Sequence, residues 1–99
     1  MREEIIGANL SPGSAFLTKV AIPTYDCIVD YETVWIPAHT VCMVLEERNR
    51  SYCCFNSKQT LRKIIIEYDV LVNLSDGNWA VYPVSSAALG DRKVQLLVS

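Results

Sequence analysis

Apolar residues recur at alternate positions along this chain, and no stretch of about twelve residues carries the three-and-four spacing of an amphipathic helix. Ile64, Ile66, Tyr68, Val70, Val72 and Leu74 follow at period two, which turns one face of a long strand toward a core. Ile65 and Leu71 fall on the opposite face, so that strand is buried on part of both sides or bent. Val41-Cys42-Met43-Val44-Leu45 is apolar throughout and predicts a second strong strand, closed by Glu46, Glu47 and Arg48. Phe16, Leu17, Val20 and Ile22 predict a first strand over residues 15–22 that Pro23 ends, because proline brings no N–H to a ladder. Val34-Trp35-Ile36 is extended, and Pro37-Ala38-His39-Thr40 breaks it with a tight turn into the strand that starts at Val41. Arg48-Asn49-Arg50-Ser51 and Asn56-Ser57-Lys58-Gln59-Thr60 read as polar loops on either side of the short apolar run Tyr52-Cys53-Cys54-Phe55.

Ser75-Asp76-Gly77-Asn78 lies between two strand-like runs and carries the strongest hairpin signal of the chain, since glycine takes positive φ without a steric penalty. Trp79-Ala80-Val81-Tyr82 is the returning strand, ended by Pro83. Ser85-Ser86-Ala87-Ala88-Leu89 offers a serine cap and about one helical turn before Gly90, which suits a short 3₁₀ turn near residues 85–89. A strand over residues 94–98 closes the chain. Residues 1–14, with the turn signal Ser11-Pro12-Gly13, read as an N-terminal arm or short lead-in strand, and residues 15–99 as a single domain. The fold class is all-β, a small barrel of five to six antiparallel strands.

The order of these elements resembles the Src-homology-3 class of small barrels. Trp79-Ala80-Val81-Tyr82-Pro83-Val84-Ser85-Ser86-Ala87-Ala88-Leu89 is similar to the aromatic-Pro-Ser segment that leads into that family's 3₁₀ turn. Ile22-Pro23-Thr24-Tyr25-Asp26 sits where the family places its Tyr-Asp element. Residues 36–45 look like its diverging turn and the strand after it. The resemblance covers residues 15–98 by order of elements. It implies a protein-binding surface built from Tyr25, Tyr82 and Pro83 beside the acids Asp26, Asp30 and Glu32 of the first loop. The tryptophan on which such barrels stack a polyproline ligand is missing around residues 55–61, so the resemblance implies a fold more than that ligand.

Composition narrows the function classes. The chain has 99 residues, is 51% hydrophobic and 20% charged, and carries nine Lys and Arg against eleven Asp and Glu. That excludes a disordered or low-complexity chain, and it leaves room for one small core. The longest apolar run is Val41-Cys42-Met43-Val44-Leu45, too short for a bilayer, and Glu3 and Glu4 stand where a signal peptide would be basic. The expected location is therefore the cytoplasm or the inside of a virion, not the secreted space. Cys27, Cys42, Cys53 and Cys54 are then free thiols, mostly core fillers.

Candidate chemistry is sparse. His39 and Cys42 are three apart, a nucleophile pair only if the turn bends them together, and with Cys53 and Cys54 they lack the paired spacing of a structural zinc site. No catalytic or metal site is assigned, no cofactor or small-molecule substrate is expected, and the chain is not predicted to be an enzyme. Arg48, Arg50, Lys58, Arg62 and Lys63 lie in a segment without acids and beside Tyr52 and Phe55, which is the pattern of a nucleic-acid-binding small barrel. The leading expectation is a non-enzymatic interaction or structural-accessory module that docks on a larger protein assembly, or on another copy of itself, through loops and edge strands. One-module reading frames of this kind are common among viral and phage accessory proteins. Nucleic-acid binding by the basic segment is the alternative.

Overall fold

The computed structural model describes residues 2–25, 33–55, 61–90 and 92–98, with the backbone alone at 25, 33 and 53–55. The strands are β1 (Arg2–Ile5), β2 (Ala15–Thr18), β3 (Ile22–Tyr25), β4 (Thr33–Ile36), β5 (Val41–Phe55), β6 (Leu61–Asn73), β7 (Trp79–Ser85) and β8 (Val94–Val98), with a 3₁₀ turn at Ser86–Ala88. Among the described residues, six of the strands form one sheet in the order β1-β6-β5-β2-β8, with β7 also on β6, while β3 and β4 pair only with each other. The large sheet curls into a half-barrel, so the expected all-β class and the short 3₁₀ turn are both found.

β6 is the spine of the sheet. Its inward residues Ile64, Ile66, Tyr68, Val70 and Val72 are buried, and they meet Phe16, Cys42, Val44, Val84, Leu89 and Val94 from the neighbouring elements. The predicted period-two face is therefore the core face. The opposite edge of β6 is shared by two strands, because β1 runs parallel to its first residues, Arg2 opposite Leu61 through Ile5 opposite Ile64, and β7 runs antiparallel from Glu67 onward. Between them the Ser86 hydroxyl accepts the Ile66 N–H at 3.0 Å and donates to the Ile6 carbonyl at 2.8 Å. One buried side chain thus splices the parallel strand to the antiparallel one.

The N-terminal segment is fastened across the concave side. Ala8 N–H donates to the Ser86 carbonyl, the Tyr68 hydroxyl donates to the Ala8 carbonyl at 3.1 Å and accepts the Leu10 N–H at 2.9 Å, and Gly13 N–H reaches Val44. Ile5, Ala8 and Leu10 pack on the core beneath these bonds.

Three local expectations are overturned. Pro23 does not end a strand but lies inside β3, and Pro83 lies inside β7, which continues to Ser85. Both are tolerated because each strand has a side that no ladder uses. The Pro83 carbonyl accepts the Thr24 hydroxyl, so its backbone faces β3 and the missing N–H takes nothing from β6. The polar stretch Arg48-Asn49-Arg50-Ser51 is not a loop, since β5 runs unbroken over fifteen residues opposite β6. Its register shifts between Val44 and Glu46, Glu47 and Asn49, and Tyr52 and Cys54. Each shift is a bulge that adds a residue to β5 and bends the ribbon. At about 3.3 Å per residue β5 alone matches the 50 Å long axis of the molecule, whose other extents are 33 and 21 Å.

The hairpin at residues 75–78 forms as the Asp-Gly pair predicts. Gly77 has φ +85°, Leu74 N–H donates to the Asn78 carbonyl, and the Asp76 carboxylate accepts the Asn78 N–H at 3.0 Å. Those bonds hold the Asp76 carboxyl below its ordinary range.

Candidate interaction surface

The convex face of the sheet carries apolar side chains in register. Val98 of β8 lies opposite Ala15 of β2, Ala15 opposite Met43 of β5, Met43 opposite Leu71 of β6, and Leu71 opposite Val81 of β7. Paired residues share a face, so these five form one row across five of the six strands, about 20 Å wide at the usual strand spacing. Val98 is 62% exposed, Val81 53% and Met43 40%. One step along, Leu17 pairs with Val41, and Trp79 pairs with Asn73. Val41 and Trp79 are also exposed and extend the apolar surface on either side of Asn73. Beside it a cleft of about 520 Å³ opens between the β4–β5 turn and the β6–β7 hairpin, lined by Trp35, Pro37, His39, Val41, Asn73 and Leu74 among others.

The turn that shapes this cleft is rigidly placed. His39 takes φ 63° and donates its N–H to the Thr18 carbonyl at 2.7 Å, while the buried Thr18 hydroxyl donates to the Pro37 carbonyl and accepts the Thr40 N–H, both at 2.8 Å. Trp35 projects to solvent because β4 alternates, with Ile36 turned inward and buried.

The sheet also ends in open edges. Among the described residues, β8 pairs with β2 alone, and its Leu96, Leu97 and Val98 are exposed. Its inner side opens on a smaller cleft of about 310 Å³ toward Gly7, Ala8, Leu10 and Leu89. Beyond Val44, β5 loses its β2 neighbour and, among the described residues, pairs with β6 alone, and Leu45 to Tyr52 are exposed at every position.

The residues singled out from the sequence do not converge on one site. Asp26, Asp30, Glu32 and Lys58 lie outside the described residues, and Tyr25 is described by its backbone at the end of β3. Tyr82 is half-buried against the core, and Pro83 is buried. Arg48 on the convex side reaches Asp69 at 3.3 Å and Glu67 at 3.7 Å. Arg50 makes a two-pronged bond with Glu47 at 2.7 and 3.2 Å, which lowers the Glu47 carboxyl. Arg62 pairs with Glu3 and lies 3.9 Å over the Tyr52 ring. Arg50 opposes Ile66, whereas Lys63 precedes the inward Ile64, so the bases are divided between the two faces of the ribbon.

His39 and Cys42 are not brought together as a nucleophile and its base. His39 sits exposed in the turn, and Cys42 is fully buried in the core with its thiol 3.8 Å from the Thr40 carbonyl. Burial pushes that thiol up to about 12. Native protein treated with iodoacetamide near neutral pH is expected to leave Cys42 unmodified, and unfolded protein to modify it fully. Peptide mapping by mass spectrometry reads the difference, and rapid native labelling of Cys42 would contradict this placement. No group of three or more His, Cys, Asp or Glu arranged to hold a metal occurs among the described residues.

The convex apolar surface escaped the sequence reading. Its signal was present in Val41-Cys42-Met43-Val44-Leu45, where apolar residues at consecutive positions of a strand require a partner on each face. No protein-family model, curated protein or solved structure matches this chain.

Proposed function

We propose that this protein is a non-catalytic contact module, a small barrel of the Src-homology-3 type left open, that docks on a larger protein assembly through the convex face and the open β8 edge of its sheet. The observation that carries this reading is the apolar row Val98, Ala15, Met43, Leu71 and Val81, with Val98, Met43 and Val81 exposed, which runs from the β8 edge across five of the six strands of the sheet. Contiguous apolar surface of this kind is unfavourable in water and is characteristic of docking sites. Trp79 and Trp35 at its border are the residue type that dominates such contacts. The arginines of the basic segment favour a protein partner over a polynucleotide, because Arg48, Arg50 and Arg62 each already face a carboxylate.

The test is co-fractionation in extracts of cells that produce the protein. Wild-type protein is expected to elute in a high-mass fraction that survives nuclease treatment, and a Met43→Glu, Val81→Glu variant, both exposed positions, to elute free. Wild type that elutes free, a variant that stays in the high-mass fraction, or release by nuclease would each overturn the reading.

A further inference from the structure

We propose that two copies of this chain pair through the distal edge of β5, antiparallel and about a two-fold axis between Arg48 and Asn49, so that their sheets become continuous. This goes beyond the docking reading, since it uses a different edge and names a second copy as the partner. Three observations point to it.

First, the edge is long and open. Past Val44 no strand among the described residues lies on the side of β5 away from β6, and Leu45 to Tyr52 are exposed at every position. A strand edge of that length presents main-chain donors and acceptors ready for another strand. The Arg50 N–H donates to the Asn49 side-chain oxygen at 2.8 Å, a local partner that a strand carbonyl would replace.

Second, charge along this edge is ordered for self-pairing. Acids come first, Glu46 and Glu47, and bases follow, Arg48 and Arg50. Antiparallel pairing of a strand with its own copy inverts that order, so acids of one copy meet bases of the other. With the axis between Arg48 and Asn49, Glu47 lies opposite Arg50 of the second copy, and the match occurs twice. Arg48 then faces Asn49. An axis moved onto Arg48 sets Arg48 against itself, one moved onto Asn49 sets Arg48 against Arg50, and one moved onto Glu47 sets two carboxylates against each other, so the charges disfavour each of these registers.

Third, the same register uses the full length of the open edge. Leu45 becomes level with Tyr52 of the second copy at both ends of the ladder, and these residues are 41% and 52% exposed in the single chain. The ladder stops there for a structural reason: Ser14 and Gly13 already occupy the edge at Val44.

Glu47 and Arg50 form an exposed pair within each chain, so reversing either charge leaves the core untouched. Sedimentation of wild type, Glu47→Arg, Arg50→Glu and an equimolar mixture of the two variants tests the proposal. Wild type is expected at twice 11.1 kDa. Each variant alone places like charges across the axis and is expected to dimerise at least about tenfold more weakly, and the mixture to recover dimer as a heterodimer. The Met43→Glu, Val81→Glu protein is expected to dimerise as wild type does, which separates this edge from the convex face. A monomeric wild type, charge variants that dimerise unimpaired, a mixture that fails to recover, or loss of the dimer in the convex-face variant would overturn the proposal. Recovery in the mixture also establishes that both variants are folded.

Discussion

Gly7→Ala is expected to lower the stability of this protein by about 2–5 kcal/mol, a large part of what a domain of this size possesses. Two separate effects act at the same atom. Gly7 has φ +83°, a backbone conformation that alanine adopts at a cost of about 1–2 kcal/mol. A Cβ at this position would also stand 1.8 Å from the Ser86 carbonyl oxygen and 2.5 Å from its carbon, both main-chain atoms that no rotamer change can move. The N-terminal segment must then leave Ser86, breaking the bonds that join β1 to the 3₁₀ turn. Gly77 serves as the control, because it has φ +85° and a Cβ added there would meet nothing within 4 Å, so Gly77→Ala carries the backbone cost alone. Thermal unfolding should therefore show Gly7→Ala melting on the order of 10–30 °C below wild type and well below Gly77→Ala. Equal falls for the two would mean that the segment around Gly7 is not seated against Ser86.

Ser86→Ala has the second largest expected effect, about 2–4 kcal/mol. The side chain removed is small and the cavity left is negligible, so the loss is one of hydrogen bonding. The Ile66 N–H and the Ile6 carbonyl are both left without their partner inside the sheet, and each unpaired buried main-chain group costs about 1–3 kcal/mol. Neighbouring Ser85 provides the comparison. Its hydroxyl only caps the 3₁₀ turn by accepting the Ala87 N–H at 3.2 Å near the surface, a contact worth about 1 kcal/mol. Denaturant titration should rank Ser86→Ala well below Ser85→Ala. Gly7→Ala combined with Ser86→Ala should lose less than the two separate losses together, because both release the same segment. Strict additivity would contradict a shared joint.

The sequence was readable where a local physical demand has few solutions. The Asp76-Gly77 reversal, the alternating core face of β6, the serine-capped 3₁₀ turn and β8 over residues 94–98 all belong to that class, since each is specified by residues next to one another. Proline misled at Pro23 and Pro83 because a break is forced only where both edges of a strand are paired, and pairing is decided by distant chain. Arg48-Asn49-Arg50-Ser51 misled for a related reason. In a ribbon that has water on its free edge, polar residues suit a strand as well as a loop, and the alternation that would mark a strand is lost. The splice at Ser86 and the parallel placement of β1 depend on contacts across 59 to 80 positions of sequence, beyond any local pattern. The basic residues were legible as a group, but not their carboxylate partners, which come from β1 and β6 as well as β5.

On the proposed function, the working surface is the convex apolar face with its open β8 edge, rather than a chemical site or the basic ribbon. Photo-crosslinking from single positions in cells that produce the protein tests this most directly, with the reactive side chain placed in turn at Val81, Leu97, Arg48 and Asp76. Discrete protein adducts are expected from Val81 and Leu97, and none from Asp76 in the exposed hairpin turn. Adducts confined to Arg48 and consisting of nucleic acid, with Val81 and Leu97 silent, would contradict it.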